Sequence, residues 1–222
     1  AVQSGPLSWV ANHRLHHRVT DRDLDPHAPG HGFAWAHLVW GLFEHPITTD
    51  PRQRQRFIKD LQKDAFLVFC EEHFVGLNCA AVASVFLAGF ALGGVARGVS
   101  FVAWLIALRV VCAWHITFLT NSVGHKWGYR NFDTPDQSRN VWFLGIVALG
   151  DGWHNNHHRF ASCARHGRRW FELDLSYRII VLMERAGVAW GVHHMEEVRR
   201  HAVQGDTIRT PQPSGDHHLQ PT

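Results

Sequence analysis

From Phe74 to Ala96 the chain carries no charged residue, and Leu, Val, Ala and Phe dominate those 23 positions. As a helix rising 1.5 Å per residue, a stretch of that length spans roughly 30 Å, the thickness of bilayer hydrocarbon. A second apolar stretch runs from about Val99 to Thr120 and is interrupted by Arg109 and His115. The Gly-rich segment Gly93-Gly94-Val95-Ala96-Arg97-Gly98 between them predicts a tight turn and hence a helical hairpin. Both flanks of a hairpin lie on one side of the membrane. Arg52, Arg54, Arg56, Lys59 and Lys63 crowd one flank and Lys126 and Arg130 the other, while the turn has only Arg97, so the positive-inside rule places both flanks in the cytoplasm. The alternative is a pair of buried helices in a large soluble core, for which an uncharged run of this length is unusual. Arg109 is costly in hydrocarbon, so it is expected to face the protein interior or a polar cavity.

Histidine is the second anomaly: 19 His and 10 Trp stand against 2 Met and 2 Tyr. His13, His16 and His17 are spaced i, i+3, i+4, which puts three imidazoles on one helix face. His154, His157 and His158 repeat the spacing. One HxxHH can arise by accident on a His-rich helix; two copies call for a shared reason. Asn121 and His125, again i to i+4, follow the second apolar stretch, and the hairpin brings all three groups to the cytoplasmic side. Neutral imidazole suits Fe, Zn, Cu and Ni alike, so ligand type leaves the metal open. Seven histidines exceed what one four-coordinate zinc uses, which points to two metals. Carboxylates in Thr20-Asp21-Arg22-Asp23-Leu24-Asp25-Pro26-His27 could accept the second ring N–H of metal-bound histidines, or form a solvated helix end. The remaining histidines, His37, His45, His73, His115, His193 and His194 among them, show no such spacing and are expected to be core or surface residues.

The formal charge of +3 and pI near 8.9 come from scattered Lys and Arg, so no nucleic-acid partner is expected. Cys70, Cys79, Cys112 and Cys163 have no CxxC spacing and read as reduced packing residues. The first residues carry neither a charged n-region nor an apolar h-region, so no signal peptide is expected among them. The Trp-rich FAWAHLVWGLF between Gly32 and Phe43 is too short to span and suits an interfacial helix or one packed beneath the soluble part. Residues 170 to 190 predict one or two amphipathic cytosolic helices, and the tail 205–222 predicts disorder.

Three segments, NHRLHH with the following TDRDLDPH, NSVGHKWGYRNFDTPDQSRN from Asn121 to Asn140, and DGWHNNHHRF from Asp151 to Phe160, together resemble the membrane fatty acyl desaturases. That family includes stearoyl-CoA desaturase and the bacterial and cyanobacterial acyl-lipid Δ9 enzymes. The resemblance covers nearly the whole chain to about residue 200. It implies an all-α fold: a membrane hairpin, part of a four-helix transmembrane bundle, capped by a cytosolic helical region that holds a di-iron site. Residues 1–204 would form the desaturase domain. His13, His16, His17, His125, His154, His157 and His158 correspond to iron ligands, and Asn121 to a residue that reaches the metal through water. The family's first box, an HxxxxH pair with two more ligands, has no counterpart in this sequence, so the chain is expected to lack its N-terminal portion. Asp151 stands where the family usually has Glu, which would alter the geometry of an outer carboxylate.

The implied activity is O2-dependent insertion of a cis double bond, Δ9 by resemblance, into an acyl-CoA or acyl-lipid chain. It implies two iron ions (Fe2+/Fe3+), a membrane lipid environment, a multi-pass topology with the site on the cytoplasmic face, and a separate electron donor of ferredoxin or cytochrome b5 type. Alternatives are an acyl hydroxylase with the same ligands, a catalytically incomplete remnant, and a soluble zinc hydrolase.

Overall fold

The computed structural model describes residues 2–196, and their secondary structure is helical, with isolated β-bridges at Tyr129–Asn140 and Asn140–Trp153. In chain order the helices are α1 (Pro6–Val19), α2 (Phe33–His37), α3 (Pro46–Thr49), α4 (Pro51–Ile58), α5 (Ala65–Glu72), α6 (Phe74–Phe101), α7 (Arg109–Ser122), α8 (Trp142–Val147), α9 (His154–Arg159) and α10 (Leu175–Arg185), with a π-helical segment Val102–Leu108 between α6 and α7. The expected disorder of residues 205–222 concerns positions outside the described residues.

The chain divides into two units, one holding the residues up to Leu15 with Gly41–His115, the other His16–Trp40 with the chain from Ile116 onward. In the first unit, Leu7, Ala11 and Leu15 form a buried stripe at four-residue spacing on α1. The exposed N-terminal amides of a helix need acceptors. Here the Glu71 carboxylate supplies them, accepting from Leu7 N at 2.9 Å and Ser8 N at 3.2 Å. Arg14 makes a two-pronged contact to Asp60 at 2.7 and 2.8 Å and donates to Phe57 O, tying α1 to α4. Arg14 also holds the Asp60 carboxyl below its ordinary value. Asp64 caps α5 through Phe66 N and Leu67 N.

The stretch Phe74–Ser122, 49 residues long, is the candidate membrane span, and only 6% of its most apolar window is buried. Within it Gly93 and Gly94 leave helical geometry, Gly94 at φ 73°, a conformation that glycine adopts without steric cost. The chain reverses there and returns so closely that Gly98 packs on Phe86 and Gly89 faces Gly98 and Phe101. Side chains at these glycines would collide: a Cβ on Gly89 would stand 2.9 Å from the Gly98 Cα. The expected turn is present, placed at the start of the segment assigned to it. Within this chain the Arg109 side chain is exposed, and its Nε donates 3.3 Å back to Leu105 O of the preceding π-helical segment.

In the second unit the loop after α7 is pinned by Tyr129 N to Asn140 O at 3.1 Å, Asn140 N to Tyr129 O at 2.7 Å and Val141 N to Gly152 O at 2.9 Å. The Trp153 ring covers Gly145 of α8, and its Nε1 donates to Leu173 O at 2.7 Å. That ring leads directly into α9, which carries the second HxxHH. In the Trp-rich stretch, Ala36 and Trp40 are buried, Trp40 edge-on to Phe118 with centroids 5.4 Å apart. The amphipathic stretch resolves into α10, capped by Asp174 on Tyr177 N. The four cysteines form no disulfide.

Candidate metal centre

α1 ends in its histidines, α7 stops three residues before His125, and α9 is almost entirely histidine box. The second unit gathers these ends. The Nε2 atoms of His125 and His154 are 2.9 Å apart, those of His154 and His158 3.0 Å, and those of His158 and His16 3.3 Å. One ligand atom from each of the four lies within 4.8 Å of every other. His16, His125 and His154 are almost wholly buried.

Three of these rings are held from behind by carboxylates. His16 Nδ1 is 2.9 Å from both oxygens of Asp25, His125 Nδ1 is 3.0 Å from Asp21 Oδ1, and His158 Nδ1 is 3.1 Å from Asp136 Oδ2. A carboxylate behind Nδ1 fixes the proton there and leaves the Nε2 lone pair pointing into the cluster. Lone pairs about 3 Å apart repel unless a cation sits among them. Imidazole nitrogens at about 2.1 Å from a tetrahedral ion lie roughly 3.4 Å from one another, so the observed spacing fits a metal. Burial, followed by the neighbouring His27, His125, His158 and His17, holds the His16 pKa well below its ordinary value, keeping the ring neutral as ligation requires. Burial pushes the Asp25 carboxyl up to about 6 against the backbone N–H groups of Asp21 and His27.

A second pair adjoins the first. His17 and His157 bring their Nε2 atoms within 2.8 Å, and the His17 ring centroid is 4.5 Å from that of His158. His13 lies one turn before His17 on the same face of α1. Asn121 is buried one turn before His125, and its Nδ2 is enclosed without a hydrogen-bond partner. All eight residues singled out in the sequence are therefore on elements that end at, or lead into, this cluster.

Residues 1–193 match the profile of the family described as Fatty acid desaturase. The chain belongs to the fatty acid desaturase family. That family consists of oxidoreductase enzymes. Among relatives, this desaturase-family chain is 38% identical over 193 residues to the sn-1 stearoyl-lipid 9-desaturase of Anabaena variabilis, covering 86% of the chain and 66% of the relative. It is 38% identical over 200 residues to the Delta-9 acyl-lipid desaturase 1 of Arabidopsis thaliana, covering 90% and 63%. It is equally similar over 200 residues to the Acyl-CoA C20 Delta5-desaturase of Anemone leveillei, covering 90% and 61%. The chain thus spans somewhat under two thirds of the length of these curated relatives.

The desaturase-family chain also uses residues that the spacing argument did not single out. Asp136 is set behind His158 by Thr134 Oγ1 at 3.0 Å, Ser138 N at 2.9 Å and the Ser138 hydroxyl. The His27 ring lies tilted against His16 with centroids 4.1 Å apart, and His16, Asp25 and His27 form another group close enough to share an ion. Asn155 and Asn156, inside the second HxxHH, anchor α9. Asn155 Oδ1 accepts from Asn131 N and Phe132 N, and Asn156 Nδ2 donates to Glu172 Oε2 at 2.8 Å. Burial raises the Glu172 carboxyl, but donation from Tyr129, Arg169 N, Arg168 N and Asn131 outweighs it, and the group ends below its ordinary value. Of the acidic segment after α1, Asp25 and Asp21 lie against Nδ1 of His16 and His125, one of the two placements that the sequence left open. Asp151 is placed differently, its carboxylate 3.8 Å from His166 Nδ1, and the His166 ring lies tilted against His157 with centroids 4.4 Å apart.

Proposed function

We propose that the complete protein is an O2-dependent fatty acyl desaturase that places a cis double bond, at Δ9, in an acyl-CoA or acyl-lipid chain. The observation that carries this is the convergence of His16, His125, His154 and His158 Nε2 atoms, three of them braced by carboxylates, in a chain of the desaturase family. Two of the three relatives above are named as 9-desaturases, which favours Δ9.

In this reading the ligands of two irons are His125 and the histidines of both HxxHH motifs, His13, His16, His17, His154, His157 and His158, with Asn121 reaching a metal through water. Bound iron supplies activation of O2 for removing hydrogen from unactivated methylenes, chemistry beyond any side chain. Asp21, Asp25 and Asp136 hold protons on Nδ1 of their histidines and so keep Nε2 available to the metal. Burial of the cluster limits water, and an electron donor of ferredoxin or cytochrome b5 type docks from outside. Both arms of the Gly93–Gly94 hairpin cross the bilayer as part of a four-helix, multi-pass bundle with the metals on the cytoplasmic face. The exposed apolar surface of Phe74–Ser122 supports this reading.

The test is fatty acid profiling of a desaturase-deficient host that expresses the complete protein, beside a His157→Ala control. A new cis-monoene absent from the control is the expected result. A hydroxy acid without a new alkene would sink the desaturase reading in favour of a hydroxylase, and no product from a well-expressed, metal-loaded protein would favour an inactive remnant.

A further inference from the structure

α1 ends at Val19, and two residues later Asp21 adopts φ 61°, the left-handed conformation that helix ends usually give to glycine. Asp tolerates this region better than most residues but gains nothing from it sterically. Its bonds supply the reason for the residue. Asp21 Oδ2 is hydrogen-bonded to His125 Nδ1 at 3.3 Å and also accepts from Gln137 N at 2.6 Å. Its own backbone N donates 2.8 Å to Asp25 Oδ2, the carboxylate behind His16. Gln137 directly follows Asp136, the carboxylate behind His158. Three clustered imidazoles, from three separate stretches of sequence, thus trace back to this one residue.

We infer that Asp21 is the positioning residue of the four-histidine centre: it sets His125 directly and fixes the two carboxylates that orient His16 and His158. A helix terminator alone would need the left-handed backbone and not the side chain. The inference rests on the metal reading proposed above, and the two separate experimentally.

The complete protein is purified as wild type, Asp21→Gly and Asp21→Asn, loaded with ferrous iron, and challenged with a chelator while iron per chain and the metal's absorption spectrum are followed. Glycine suits the backbone better and removes the carboxylate; asparagine keeps an oxygen acceptor and tolerates the turn. The expected result is about 10–100-fold weaker iron retention for Asp21→Gly, the range typical of lost outer partners of metal ligands. The metal-free thermal midpoint should be unchanged or higher, and Asp21→Asn should restore part of the retention. Wild-type retention and spectrum in Asp21→Gly overturn the inference. Failure of Asp21→Gly to fold also overturns it, because Asp21 would then serve the fold rather than the metal. Wild type that takes up no iron overturns instead the metal reading beneath it.

Discussion

His125 and His154 are 29 residues apart in the chain, yet their Nε2 atoms face each other at 2.9 Å in a buried interior. With Asp21 behind it, His125 turns its Nε2 lone pair toward the His154 ring. Substituting His154 removes a ligand from the loaded protein, while the metal-free one loses only a contact between two ring nitrogens. His154→Ala is expected to lower iron affinity by more than the roughly 100-fold that losing an outer partner costs. Its metal-free thermal midpoint should stay near wild type. Metal analysis and calorimetry on one preparation check both halves.

Asp136 orients a ligand it does not replace. Asp136→Ala removes the acceptor behind His158 Nδ1 and frees Thr134 and Ser138 from their shared partner. Iron affinity should fall about 10–100-fold. Competition against a graded series of chelators measures it, and unchanged affinity would contradict the orientation assigned to His158.

The hairpin depends on two small residues. An added Cβ on Gly89 would sit 2.8 Å from Arg97 O and 2.9 Å from Gly98 Cα. Overpacking of this kind typically costs about 1–3 kcal/mol. Gly89→Ala should thus lower the thermal midpoint in detergent, whereas Val95→Ala, at a side chain 62% exposed, should not. Equal midpoints for the two variants would count against close packing of the arms.

Glu172 predicts a dependence on acidity. Its folded pKa lies below the ordinary glutamate value of 4.5. The unfolded chain therefore binds a proton at a pH where the folded one does not, so this stability is full above about 4.5 and is lost as pH falls through the depressed value. Glu172→Gln keeps one acceptor and loses the charge, and it should cost roughly 1–3 kcal/mol at neutral pH. It should also flatten the loss of stability below pH 4.5. Denaturation midpoints of the two proteins between pH 3 and 7 decide the matter.

Much of the centre is legible in the sequence because helical periodicity writes it there. The i, i+3, i+4 spacing of His16 and His17 with His13, and its repeat at His154, survives as α1 and α9. The apolar run with its glycine pair likewise yields a helix that reverses at Gly93–Gly94. Asp136 and Glu172 carry no such signal. Their partners are backbone amides and side chains in irregular loops, where no period marks which residue will meet which. Asp21 and Gln137 are 116 positions apart, a pairing that only the folded loop reveals. All three acids after α1 could be recognised as candidates, but only the turn geometry separates Asp21 and Asp25 from Asp23. The bond from Arg109 Nε to Leu105 O is equally invisible in the sequence, since periodicity does not tell which carbonyl a guanidinium will reach.

At six residues, α9 is shorter than a helix that nucleates by itself in water. Its order is borrowed from Asn131, Asn140, Glu172 and the Trp153 ring over Gly145. This imposes a chronology on biogenesis. The loop after α7 and the segment holding Glu172 must both leave the ribosome and dock before the second HxxHH takes shape. In the metal reading proposed above, delivery of the ion would then follow once synthesis has passed residue 172.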